Sequence, residues 1–124
     1  MGGRRDRYYR KVAQRLSTRL GGPVAPVLGV IRGTAPGGSQ RLVILTERNL
    51  YVTKKMTLSP SASVPGEVMM KEPIESVRVG FEPGKPVSTL SVQGKAISFM
   101  GQGRRAKEIV DAVSAVQSNT ETHP

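Results

Sequence analysis

Between residues 24 and 100 the apolar residues stop recurring at helical spacing and gather into short runs cut by turn residues, a switch that dictates a mainly β fold. Seven β-rich runs are legible, at 24–32, 41–46, 50–55, 67–71, 74–81, 87–93 and 95–100. The breaks between them have turn chemistry: Pro36-Gly37-Gly38-Ser39, Glu47-Arg48-Asn49, the stretch from Ser59-Pro60 to Pro65-Gly66, Glu72-Pro73, Pro83-Gly84-Lys85-Pro86, and Gly94. Ile74, Ser76, Arg78 and Gly80 alternate with Glu75, Val77, Val79 and Phe81, and Leu90 and Val92 alternate with Ser91 and Gln93. Such strands have one wet face and one buried face, which predicts antiparallel sheets packed on each other.

Helical period flanks this region on both sides. Over residues 5–20, Tyr8, Val12, Leu16 and Leu20 recur every four positions beside Tyr9 and Ala13, and Gly21-Gly22-Pro23 stops the helix. At 100° per residue the six cover an arc of about 140°, with Arg7, Arg10, Lys11 and Arg15 outside it and Arg19 inside. Two readings stand open for this helix: it docks its thin apolar stripe on the domain, or it lies in a membrane interface. Without Trp, Phe or Ile it has no anchor for deep insertion. After Gly101-Gln102-Gly103, residues Ala106, Ile109, Val110, Ala112, Val113 and Val116 fill an arc of about 160°, opposite Lys107, Glu108, Asp111 and Ser114. That pattern predicts a helix covering a core and ending near Gln117. The expected organisation is a basic helix and Gly/Pro linker at 1–23, a domain at 24–117 that folds alone, and a polar tail at 118–124.

Composition removes most enzyme chemistry. The 124 residues include no Cys and one imidazole, His123, next to last in the chain. Disulfides, thiol nucleophiles, Ser-His triads and His- or Cys-ligated metals are thereby excluded or very hard to build. Glu72 with Glu75, and Glu108 with Asp111, lack a third ligand at metal spacing, so no cofactor, metal or catalytic residue is expected. At 37% hydrophobic the chain can bury one modest core. The uncharged stretch 20–31 contains five Gly or Pro residues, too broken for a signal core and too short to span a bilayer. Asp6 stands where a myristoylation signal wants Ser or Thr. A cytoplasmic protein is expected, with peripheral contact to the inner face of a membrane.

The strand–turn–strand over Arg41-Leu42-Val43-Ile44-Leu45-Thr46-Glu47-Arg48-Asn49-Leu50-Tyr51-Val52 resembles that of bacterial pleckstrin-homology-like (PH-like) domains. Ile74-Glu75-Ser76-Val77-Arg78-Val79 is similar to their fifth strand, and residues 105–116 to their closing helix. The resemblance spans about residues 24–117 and implies a seven-stranded bent sandwich, or partly open barrel, closed by a C-terminal helix. It also implies a non-enzymatic binding module. In that family ligands often meet the loops at the open end of the sandwich, which by position hold Arg32, Arg41, Lys54, Lys55 and Lys95. Val43 replaces the basic residue that phosphoinositide-binding members carry two positions after the equivalent of Arg41, and the usual tryptophan of the closing helix is missing.

Charge supplies the other candidates. Residues 1–20 carry Arg4, Arg5, Arg7, Arg10, Lys11, Arg15 and Arg19 against Asp6 alone, a surplus of six out of the total +10. Such an arm attracts anionic surfaces. A second anion site is suggested by Gly101, Gly103, Arg104 and Arg105, where a flexible loop opens a helix. The expected function is a PH-like adaptor docking on a protein partner or anionic membrane, with no small-molecule substrate. The alternative is a small nucleic-acid-associated protein gripping phosphates with the arm.

Overall fold

The computed structural model describes residues 3–56 and 63–121, with the side chains of Arg4, Thr120 and Glu121 outside the described set. His123 and the turn at Ser59-Pro60 also lie outside it. Helix α1 (Gly3–Leu20) is followed by seven strands: β1 (Val27–Thr34), β2 (Gln40–Thr46), β3 (Asn49–Lys55), β4 (Pro65–Pro73), β5 (Val79–Glu82), β6 (Val87–Val92) and β7 (Lys95–Met100). Helix α2 (Gly103–Glu121) ends the series.

The strands form one antiparallel sheet in the order β4-β3-β2-β1-β7-β6-β5, not closed into a barrel. β1 belongs to both halves. It pairs along its length with β2 but meets β7 at only one partner pair, Thr34 with Ser98. At this crossing a Cβ on Gly33 would sit 2.4 Å from Ile97 and 2.8 Å from the Ser98 carbonyl, so no larger residue fits there without a shift.

Each face of the β1–β4 half is covered. On the inner face Ile31, Val43, Leu45, Leu50 and Val52 meet Leu90, Val92, Ile97 and Phe99 from the other half, and Ala106, Ile109 and Val113 of α2 complete that core. On the outer face Val30, Leu42, Ile44 and Tyr51 receive Tyr9, Val12 and Leu16 of α1. Val12 and Leu16 are fully buried, so the helix docks on the domain, one of the two readings its sequence left open. Its end is fixed locally: the Gly21 and Gly22 amides bond the Ser17 carbonyl, and Gly21 takes φ +77°. The boundary expected at residue 23 therefore separates chain segments but not cores.

Two local features depart from the sequence reading, and a bulge in β4 adds a third detail. The fifth strand, expected over 74–81, is only Val79–Glu82. Ile74, Glu75 and Ser76 form a turn in which the Ser76 and Val77 amides bond the Pro73 carbonyl. One such turn puts residues three apart on the same side, so Ile74 and Val77 are both buried instead of pointing oppositely. The Gln117 amide holds the turn by donating to the Ile74 and Val77 carbonyls at 3.1 and 2.7 Å. The closing helix runs past Gln117 to Glu121, into the stretch expected to be a tail. In β4, Val52 faces Met70 and Thr53 faces Val68, leaving Met69 as the extra residue of a bulge. Met70 thereby packs on the inner core, Val68 on the outer one, and Met69 is 48% exposed.

Candidate functional site

The cationic residues fall into three places. The first is the solvent side of α1. Burying Tyr9, Val12 and Leu16 turns Arg7, Arg10 and Lys11 outward, and all three are exposed. With Tyr8 and Gln14 they line a shallow depression of about 770 Å³. Among the described residues none of the three has a carboxylate within ion-pair distance. Arg7 Nε donates to the Gly3 carbonyl of its own helix at 3.4 Å. Other members of the expected set are placed differently. Arg5 pairs with Glu108 of α2 at 3.2 Å, Arg15 is half-buried and donates to the Ser63 carbonyl, and Arg19 is exposed at the far end. Arg4 has no described side chain.

The second place is the open end of the sandwich, and its five candidates divide. Arg41 and Lys95 come together at the rim of a largely apolar groove of about 480 Å³ floored by Val52, Met70, Val92 and Ile97. Arg32 and Lys55 instead line a separate cleft of about 370 Å³ with Gly33, Thr34, Gln40 and Gln102. Lys55 Nζ donates to Gln40 Oε1 at 3.3 Å, and Lys54 pairs with Glu67 at 3.1 Å.

The third place is the start of α2. Gly101 takes φ +72°, and the Gln102 carbonyl accepts the first helical bond from Ala106. Arg104 is exposed, whereas the Arg105 guanidinium lies 5.3 Å from the centre of the Tyr8 ring, a cation–π contact joining the two helices.

Two residues matter here that sequence reasoning passed over. Gln102 reaches β1 and makes both backbone bonds of Arg32, accepting from its N–H at 2.9 Å and donating to its carbonyl at 2.8 Å. Tyr8 counted only as an apolar position, yet its hydroxyl shares a hydrogen bond with Ser63 Oγ and accepts from Arg32 Nη1 at 3.4 Å. Nothing local in the sequence marks either role, because the partners are 70, 55 and 24 residues away.

Tyr9 is the next residue along α1. Its buried hydroxyl has no partner among the described residues, and burial, reinforced by the negative charge of Glu108, raises its pKa above 10.0 against the opposing pull of Arg105 and Arg5. Among the described residues no group of three or more His, Asp or Glu is placed to hold a metal, and no helix is long and apolar enough to cross a membrane.

A bent seven-stranded antiparallel sheet with a C-terminal helix on its inner core is the PH-like architecture. Consistent with it, the chain is similar over 97% of its length, at TM-score 0.50 and 12% identity, to a solved structure titled "Critical structural role for the PH and C1 domains of the Vav1 exchange factor". The match takes in 35% of that longer chain, and the likeness is one of fold. No family model matches the sequence, and no curated protein does.

Proposed function

We propose that the chain is a non-enzymatic PH-like binding module, of the bacterial type its strand–turn–strand resembles, that docks on an anionic surface through the solvent side of α1. A membrane's cytoplasmic face and an acidic protein patch both offer that chemistry. One observation carries the reading: the apolar side of α1 is consumed by the fold, while Arg7, Arg10 and Lys11 face water with no carboxylate partner among the described residues. The aromatics weigh against the nucleic-acid alternative. None of Tyr8, Tyr9, Tyr51, Phe81 and Phe99 is exposed, which leaves no platform for stacking bases.

Vesicle retention tests it. Each cation close to an anionic membrane is worth about 1 kcal/mol, so changing Arg7, Arg10 and Lys11 together to Gln should weaken binding on the order of 100-fold at low salt. All three side chains are exposed, and the variant should melt like the parent. The parent should be retained by vesicles holding about 30% phosphatidylglycerol and released as salt rises. Equal retention of parent and variant overturns the assignment. Loss on changing Arg41 and Lys95 instead would move docking to the apolar groove.

A further inference from the structure

The three groups of cations that look separate in sequence each send one arginine to the same place. Arg15 comes from α1, Arg32 from β1 and Arg105 from α2, and they meet around Tyr8 and Ser63. Arg32 Nη1 lies 3.4 Å from the Tyr8 hydroxyl, Arg15 Nη1 lies 3.2 Å from the Ser63 carbonyl, and the Arg105 guanidinium stands over the Tyr8 ring. All three arginines are half-buried. Among the described residues no carboxylate lies within 4.0 Å of any of them. The nearest acid along α2 from Arg105 is Glu108, one turn on, and Arg5 engages it. Like charges gathered on a hydroxyl, a carbonyl and a ring face, none of them charged, repel one another, and the missing complement is an anion.

We propose that this cluster binds a phosphomonoester group. A phosphomonoester carries a charge of about −1.5 to −2 and three terminal oxygens, which suits three guanidiniums around one Tyr8–Ser63 pair better than a carboxylate with one charge and two oxygens. The hydroxyls of Tyr8 and Ser63 share one hydrogen bond, so with Ser63 donating to Tyr8 the Tyr8 proton is left as a neutral donor. Gln102 fixes Arg32 from behind by holding its backbone on both sides. Ser63 is buried, and the cluster meets solvent on its two flanks, where Tyr8 lines the depression on α1 and Arg32 lines the cleft beside β7. The site shares Tyr8 with the depression on the docking face, but its arginines are different ones and it does not depend on that reading.

Titration of the full chain with inorganic phosphate, and retention by vesicles of phosphatidic acid against phosphatidylglycerol at equal charge, test it. Phosphatidic acid exposes a phosphomonoester, and phosphatidylglycerol only a diester. The parent should bind inorganic phosphate saturably. Arg32→Gln or Arg105→Gln should weaken this about tenfold or more, and Tyr8→Phe less, as expected for loss of charged and neutral hydrogen bonds. Arg78→Gln, an exposed change elsewhere, should leave it unchanged. Should Arg32→Gln melt early, Arg15→Gln provides the readout, since among the described residues that guanidinium donates to one carbonyl. A preference for phosphatidic acid that inorganic phosphate competes away assigns the group to a lipid headgroup; phosphate binding without that preference assigns it to a free phosphorylated molecule. Absence of both in the parent, or binding that survives both arginine substitutions, overturns the proposal. Retention on phosphatidylglycerol through Arg7, Arg10 and Lys11 would be untouched by that failure.

Discussion

The sheet is closed from opposite sides by two helices of nearly equal length, 18 residues in α1 and 19 in α2, that do different work. α2 sets Ala106, Ile109 and Val113 into the core shared by both halves of the sheet. α1 sets Tyr9, Val12 and Leu16 on the outer face of the β1–β4 half alone. Losing the first interface separates the two halves; losing the second uncovers one of them. The difference extends to charge, since the exposed side of α2 mixes Arg104 and Lys107 with Asp111, while that of α1 presents Arg7, Arg10 and Lys11.

The most damaging change should fall on α2. Val113→Asp buries an unpaired carboxylate in the shared core, and a loss of about 3–5 kcal/mol, enough to abolish cooperative thermal unfolding, is expected. A variant melting like the parent would show that α2 closes nothing. Leu16→Ala tests the outer layer. The side chain is fully buried, and a cost of about 2–4 kcal/mol is expected by denaturant titration, with cooperative unfolding retained. A cost below about 1 kcal/mol would mean that α1 is only loosely seated.

The smallest effect lies where the helices meet. Tyr9→Phe removes a buried hydroxyl with no partner among the described residues and should be neutral or stabilising by about 1 kcal/mol. It should also change the alkaline limb of stability. A tyrosine whose pKa is raised by folding contributes stability that is present below pH 10.0 and lost as pH rises through the folded-state value, so the parent should weaken above pH 10 more steeply than Tyr9→Phe. Superimposable pH profiles would remove the burial argument for Tyr9.

These contrasts also bear on what the sequence made legible. The inner core was readable from alternation in β6 and from the arc of α2. The outer layer was left undecided, with one wet face expected for the strands and two readings open for α1, although β2 carries the signal. Leu42-Val43-Ile44-Leu45 runs without a polar break, as a strand buried on both faces must, and something other than water had to cover Leu42 and Ile44. The turn at Ile74 was misread because Ile74 and Val77 fit a strand's alternation as readily as one helical turn, and the bonds that decide between them come from Gln117. The meeting of Arg15, Arg32 and Arg105 had no local signature. It depends on α1, β1 and α2 converging on one phenol, a product of topology.

The contact of Gln102 with β1 sets a stringent chemical requirement on one exposed turn. β1 and β7 share a single partner pair, so beside Arg32 the amide supplies what a neighbouring strand would have supplied. A strand edge asks for an acceptor and a donor together. Glutamate would answer the N–H and repel the carbonyl; lysine would do the reverse; asparagine carries both groups on a shorter arm. Position 102 therefore behaves as one rung of sheet written in side-chain atoms, and the direction in which Arg32 points is inherited from it.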